Sequence, residues 1–180
     1  MSVTRQELSS HGLAASHGPF FVVLNAAAGR RDAQEDKRTI SRIFREGRRD
    51  VEFLETGRAA PIDAVARHAV ALAQARQGVV VAAGGDGTLN AVANAVLGSG
   101  CPFGVLPQGT FNYFGREHAI PQDTEKSARA LLGASVSPVQ VGKVNGRLFL
   151  VNASVGLYPQ LLEDREAWKR QWGRSRLTAW

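Results

Sequence analysis

The pentapeptide Gly84-Gly85-Asp86-Gly87-Thr88 joins a β-branched run to an Ala- and Val-rich one and carries residue types suited to phosphate. A triphosphate needs backbone N–H groups that can approach closely, and glycine allows this because it has no Cβ and tolerates positive φ. Gly84, Gly85 and Gly87 are candidates for that cradle. Thr88 is predicted to cap a helix starting at Leu89, so that the positive end of the helix dipole faces the phosphates. A bare carboxylate at Asp86 would repel phosphate, and its presence makes sense if Mg²⁺, held directly or through water, lies between them. The plainer account is a glycine-rich turn in which Asp86 serves local hydrogen bonds. A second loop weighs against it, because Leu106-Pro107-Gln108-Gly109-Thr110-Phe111-Asn112 repeats the arrangement of strand, glycine, hydroxyl and amide. Asn112 is there expected to hydrogen-bond a ligand. Neither loop has the dinucleotide Gly-x-Gly-x-x-Gly spacing or the lysine of a Walker A loop.

These loops need elements to hold them. The apolar run Phe20-Phe21-Val22-Val23-Leu24 predicts a buried strand, followed by a helix over 32–49 whose apolar residues Ile40, Ile43 and Phe44 form one narrow face. A second strand is expected over 51–56. Pro61 then sits in the first turn of a helix over 62–76 with Val65, Ala69, Leu72 and Ala73 on one side. A third strand over 78–83 leads into the first loop, a helix over 89–97 follows, and a fourth strand over 103–106 leads into the second loop. This β-α-β-α-β-α-β order predicts a three-layer α/β domain with a mainly parallel sheet, binding its ligand beyond the carboxyl ends of the strands. From about residue 135 the pattern becomes strand-like over 139–144 and 148–153 with an Asn145-Gly146 turn, which reads as a hairpin opening a second, β-rich domain. The boundaries are a loose tail over 1–18, a nucleotide-binding domain over 19–135 and the beginning of the second domain over 136–180.

Composition narrows the function classes. The longest apolar stretches are far shorter than the roughly 20 residues that span a bilayer, so no transmembrane segment is expected. The single cysteine, Cys101, excludes an internal disulfide, fits a reducing cytosol and reads as a packing residue. The four histidines, including His68 on the second helix, have no zinc-binding spacing. The net charge of +6 is uneven, with eight basic and four acidic residues over 30–49 and a second basic cluster at Arg165, Lys169, Arg170, Arg174 and Arg176. A solvated helix face is the plainer account of the first cluster. Trp168 and Trp172 lie beside the second, where they suit either a membrane interface or packing into a second domain. A nucleic-acid module would interleave aromatics with its basic residues, which is not the pattern here.

Asn25-Ala26-Ala27-Ala28-Gly29, Gly84-Gly85-Asp86-Gly87-Thr88-Leu89-Asn90, the 104–112 stretch ending Gly109-Thr110-Phe111-Asn112, and Gly142-Lys143-Val144-Asn145-Gly146 resemble, in order and spacing, the catalytic domain of diacylglycerol and sphingosine kinases. The resemblance covers about 20–161. It implies a phosphofructokinase- and NAD kinase-like nucleotide lobe followed by a β-rich lobe holding much of the lipid site, with ATP and Mg²⁺ as cofactors. It places Asn25 and Gly29 in the first nucleotide motif, Thr56 in the second, Gly84 to Thr88 in the triphosphate motif, and Gly109, Thr110 and Asn112 in the closing loop. Asp86 is implied as the catalytic and Mg²⁺-associated carboxylate. Two positions depart from the pattern, since Tyr113 and Gln140 stand where relatives carry aspartates of a water-mediated Mg²⁺ network. Asn25-Ala26 also replaces the usual Asn-Pro.

The resulting expectation is a lipid kinase transferring the ATP γ-phosphoryl to a lipid hydroxyl, cytoplasmic or peripheral to the inner membrane face, with a lipid substrate and no nucleic acid as partner. An NAD kinase-like enzyme and a non-catalytic nucleotide- or phospholipid-binding domain stay open. The family's general base lies in a Gly/Asp/Glu motif well past the hairpin, and none follows Gly146, so the 180-residue chain is expected to be incomplete and to bind nucleotide without phosphorylating lipid. Its unpaired strand edges favour self-association, as in a homodimer, or disorder beyond about residue 135.

Overall fold

A computed structural model describes residues 18–25 and 33–153. Gly29, the 1–17 part of the expected tail, and the basic, tryptophan-bearing stretch from 154 onward lie outside the described residues. The elements run β1 (Phe20–Asn25), α1 (Ala33–Glu46), β2 (Val51–Thr56), α2 (Ile62–Arg76), β3 (Val79–Gly84), α3 (Asp86–Val96), β4 (Phe103–Pro107), α4 (Tyr113–Glu117), α5 (Thr124–Leu132), β5 (Gly142–Val144) and β6 (Arg147–Phe149). The first four strands form one parallel sheet in the order β2-β1-β3-β4, as the alternation of apolar strands and helices requires.

Strand period sorts the side chains into two cores. Phe21, Val23, Val80, Ala82 and Val105 face α2 and α3, where Ala66, Ala69, Val70, Leu89, Val92 and Val96 meet them. Phe20, Val22, Leu24, Val81, Ala83 and Leu106 face Ile40, Ile43 and Phe44 of α1 and Ala128 of α5. The sheet is therefore covered on both faces. α1 and α5 are further joined by a buried hydrogen bond from Thr124 Oγ1 to Asp36 Oδ1 at 2.6 Å. Two of the four basic residues of α1 are engaged in structure. Arg42 pairs with Glu46 and Glu125, while Lys37 pairs with Glu55 and lies over the Phe53 ring.

β5 and β6 pair antiparallel through the expected Asn145-Gly146 turn, where both residues have positive φ as the tight hairpin turn demands. The strands are shorter than their apolar runs suggest. Among the described residues, Val139 and Val141 are exposed without a partner strand, and after Phe149 the backbone N–H of Leu150 turns to Asn90. The hairpin docks on the α/β lobe, with Leu148 buried and Leu150 packed against the first core.

Candidate functional site

Chain order reverses direction between β1 and β3, since β1 leads to β2 on one side and the return through α2 places β3 on the other. Ligands of open parallel sheets bind beyond the strand ends at such a point. The structure brings Asn25, Thr56 and Thr88 together there. Asn25 and Thr56 are register partners at the ends of β1 and β2, and Thr56 Oγ1 donates to Asn25 Oδ1 at 3.4 Å. Asn25 Nδ2 donates to Thr88 Oγ1 at 3.2 Å and so bridges the gap.

Thr88 is not a cap. α3 begins at Asp86, with Gly85 as N-cap in an extended conformation (φ −84°, ψ 178°), and Thr88 lies inside the first turn at 5% exposure. Gly85 can take the cap backbone itself because its carbonyl already accepts from Leu89 N at 3.0 Å. The helix therefore starts three residues earlier than expected, which brings its free N–H groups directly to the Gly84–Gly87 turn.

Glycine at 84, 85 and 109 is required by close approach and not by positive φ, which none of Gly84, Gly85, Gly87 and Gly109 has. A Cβ on Gly109 would meet Gly85 Cα at 2.5 Å and Asn112 Oδ1 at 2.7 Å, and one on Gly85 would meet Gly109 Cα at 3.2 Å. The two loops thus cross backbone on backbone, and Gln108 N donates to Gly84 O at 2.9 Å beside the crossing. A Cβ on Gly84 would run into Thr88, whereas one on Gly87 meets nothing within 4 Å.

Asn112 was expected to meet a ligand, but its amide is used internally. It is 5% exposed, accepts from Gly109 N at 2.8 Å and donates to Gly109 O at 3.1 Å and to Gln122 Oε1 at 2.8 Å. Its φ of 50° suits asparagine among non-glycine residues, and its carbonyl opens α4 by accepting from Arg116 N. Asn112 therefore shapes the loop, leaving Thr110 exposed beside it. Asp86 is half-buried in the first turn of α3, where its Oδ1 accepts from Phe114 N at 3.3 Å. That bond ties α3 to α4 and is a local role alongside the favourable charge at a helix N-terminus.

Tyr113 is exposed and stacks on Phe111 with ring centres 5.5 Å apart, while Gln140 is exposed on the segment before β5. Among the described residues no group of three or more His, Cys, Asp or Glu side chains is placed to hold a metal. Asp86 alone fits Mg²⁺ of the kind that takes one carboxylate and otherwise phosphate and water. Sequence reasoning missed an apolar groove of about 360 Å³ beside the end of β2, lined by Leu54, Ala60, Pro61, Ala64, Val65 and His68. The small residues around Pro61 were its only signal. Among the described residues, no helix is long and apolar enough to cross a membrane.

The described residues thus form a parallel three-layer α/β lobe with two crossed glycine loops and a helix N-terminus at its switch point. Residues 19–144 match the model of the diacylglycerol kinase catalytic domain, and the chain belongs to that family. A diacylglycerol kinase of Bacillus subtilis (strain 168) is 39% identical over 103 residues, 55% of this chain and 34% of that protein. One from Staphylococcus aureus (strain JH9) is 39% identical over 85 residues, 46% of this chain and 27% of that protein. The crystal structure of a diacylglycerol kinase from Bacillus anthracis str. Sterne superposes with a TM-score of 0.64 at 25% identity, covering 73% of this chain and 45% of that one. The chain thus spans about a third or less of the curated relatives it matches.

Proposed function

We propose that this chain is the nucleotide-binding lobe of an ATP- and Mg²⁺-dependent lipid kinase, which transfers the γ-phosphoryl to a lipid hydroxyl. The observation that carries the proposal is the crossing of Gly85 and Gly109 in front of the α3 N-terminus, since it leaves backbone N–H groups and no side chain at Gly87. Gly84, Gly85, Gly87 and Thr110 line the phosphate side of the site. Asn25 and Thr56 stand at the ends of its first two strands, Gly29 is assigned to it through the family resemblance alone, and Thr88, Gly109 and Asn112 hold the loops in shape. Asp86 would hold Mg²⁺, which supplies charge neutralisation between the phosphates. The residues of the chain contribute position and oriented N–H donors. The groove beside β2, lined chiefly by apolar residues, lies next to Thr56 and is the surface we assign to the nucleotide's base.

Acceptor lipid would reach this site from a membrane surface, with the protein cytoplasmic and peripheral, and the hairpin from 136 onward opening the lobe that meets it. Family membership and the named relatives favour this over an NAD kinase-like reaction. A second reading has a specific observation behind it. Tyr113 and Gln140 leave Asp86 without the companion aspartates that the resemblance implies, which favours a domain that binds nucleotide without transfer.

Calorimetric titration with ATP in the presence and absence of Mg²⁺, followed by incubation with labelled ATP and a panel of hydroxylated lipids, tests both. Mg²⁺-strengthened ATP binding with label in a lipid product supports the kinase. Binding without transfer by the full-length protein supports the second reading, and absence of ATP binding sinks both.

A further inference from the structure

Asp86, Asn90 and Asn94 follow one another at four-residue intervals on α3 and so share one stripe of that helix. Asp86 closes on the phosphate loops, whereas the two asparagines reach the hairpin. Asn94 Oδ1 accepts from Leu148 N at 2.9 Å, and Asn94 Nδ2 donates to Leu148 O at 2.9 Å and to Asn90 O at 2.8 Å. One turn nearer the phosphate loops, Asn90 Oδ1 accepts from Leu150 N at 3.2 Å. In an antiparallel pair every second residue of an edge strand turns its N–H and C=O away from its partner. Leu148 is such a residue of β6, and the amide of Asn94 pairs with it as a neighbouring strand would. The order of contacts gives the path a direction. Leu148 meets Asn94 and Leu150 meets Asn90, so the chain leaving β6 runs along α3 toward its N-terminus and the glycine loops.

We infer that Asn90 and Asn94 are positioning residues that lock the chain leaving the hairpin to the stripe of α3 that begins at Asp86, so that the hairpin and the phosphate loops keep one register. A polar lock suits this task better than apolar packing alone. An apolar contact tolerates sliding, whereas two amides spaced by one helical turn accept two backbone sites spaced by two strand residues in only one register. The coupling of the hairpin to an occupied phosphate site rests on the nucleotide-binding reading above, and the lock itself does not.

The test is residue-resolved amide exchange on the 180-residue chain, with and without MgATP, in the parent and in Asn94→Leu, which keeps the branched shape and removes both bonds to Leu148. The expected result is slow exchange at Leu148 and Leu150 in the parent and exchange faster by about tenfold or more in the variant, with the β3 amides from Val80 to Ala83 unchanged. MgATP further slows Leu148 and Leu150 in the parent and does not in the variant. Asn94→Asp keeps the acceptor for Leu148 N and restores part of the protection. Asn90→Asp keeps the Oδ1 acceptor for Leu150 N and leaves Leu150 as in the parent.

Parent-like protection in Asn94→Leu overturns the lock. So does equal acceleration of the β3 amides, which would make Asn94 a residue of the fold at large. If Asn94→Leu does not fold, Asn94→Asp and Asn90→Leu decide in the same way. A parent that shows no response to MgATP anywhere counts against the nucleotide reading, and the comparison without ligand then still decides the lock.

Discussion

A methyl group added at Gly109 would have to push apart two backbones, because Gly85 Cα lies 2.5 Å from where it would sit. Gly109→Ala is therefore expected to cost about 1–3 kcal/mol of stability through overpacking and to weaken ATP binding by separating the loops. Gly87→Ala meets nothing within 4 Å, so its stability should stay within about 0.5 kcal/mol of the parent while its methyl group enters the phosphate approach. Denaturant unfolding and ATP titration of both variants check the pair, and unchanged ATP affinity in both removes the cradle. At Asp86 the structural and metal roles separate in the same manner. Asp86→Asn keeps an acceptor for Phe114 N, so it should fold as the parent does and lose about ten- to hundredfold of the Mg²⁺-dependent ATP affinity. Asp86→Ala should lose that affinity and in addition about 1 kcal/mol of stability. Mg²⁺-dependent binding by Asp86→Asn equal to the parent's would show that Asp86 serves the α3–α4 contact alone.

At the scale of elements, α1 and α5 are held across their exposed edges by the ring Arg42, Glu46, Arg129 and Glu125. The hydrogen bond from Arg42 chiefly holds the Glu46 carboxyl below its ordinary value of 4.5, and the hydrogen bond from Arg129 does the same for Glu125. A depressed folded-state value means that the stabilisation is present above the ordinary carboxylate range and is lost as pH falls through the folded value. The guanidinium values are raised, so their share is lost only at extreme alkaline pH. The difference in thermal midpoint between the parent and Arg129→Ala should thus be present at neutral pH, shrink in acid below the ordinary glutamate value, and shrink in high salt. A difference independent of both would assign the effect to lost side-chain packing.

The same scale shows what could be read from the sequence. β2 and α2 lie where their residues place them, because Pro61 cannot continue a strand ladder, but the buried face of α2 is Ala66, Ala69, Val70 and Ala73, with the expected Val65 and Leu72 only partly buried at its margin. α4 and α5 were not anticipated. α4 is only five residues long, whereas α5 carries Ala128, Leu131 and Leu132 at i, i+3, i+4 against the second core, a short apolar period that was legible but missed. The site was legible as residue types but not as roles. Nothing local distinguishes a threonine that caps a helix from one that fills its first turn, or an asparagine that waits for a ligand from Asn112, whose amide is spent on Gly109 and Gln122. Asn90 entered only as the end of a family motif and Asn94 not at all, since their partners lie 60 and 54 residues away in the chain.

For the molecule as a whole, the distribution of exposed apolar groups points to where contact with other surfaces is made. The sheet is closed on both faces, yet Val139, Val141, Val144 and Val151 are exposed within one short stretch that includes the hairpin, and Phe111 and Tyr113 stand out at 58% and 55% exposure. β6 is sealed on one side by β5 and on the other by Asn90 and Asn94, so its backbone is not the open edge. Among the described residues, β5 pairs only with β6 and presents its other edge with Val144 exposed. Unpaired strand edges flanked by apolar side chains favour pairing with another chain. The 180-residue chain is accordingly expected to self-associate through β5, with an association that sedimentation velocity detects as a concentration-dependent shift. Val139→Lys combined with Val144→Lys places like charges on that edge and should give a monomer, because two copies brought together would oppose them. The phosphate loops lie on other elements, so ATP affinity should be unchanged in the double variant, which separates loss of association from loss of fold. A parent chain that stays monomeric at every concentration would show that β5 is satisfied within its own molecule, and an oligomer that persists in the double variant would move the interface elsewhere, with the Phe111–Tyr113 stack the next surface to substitute.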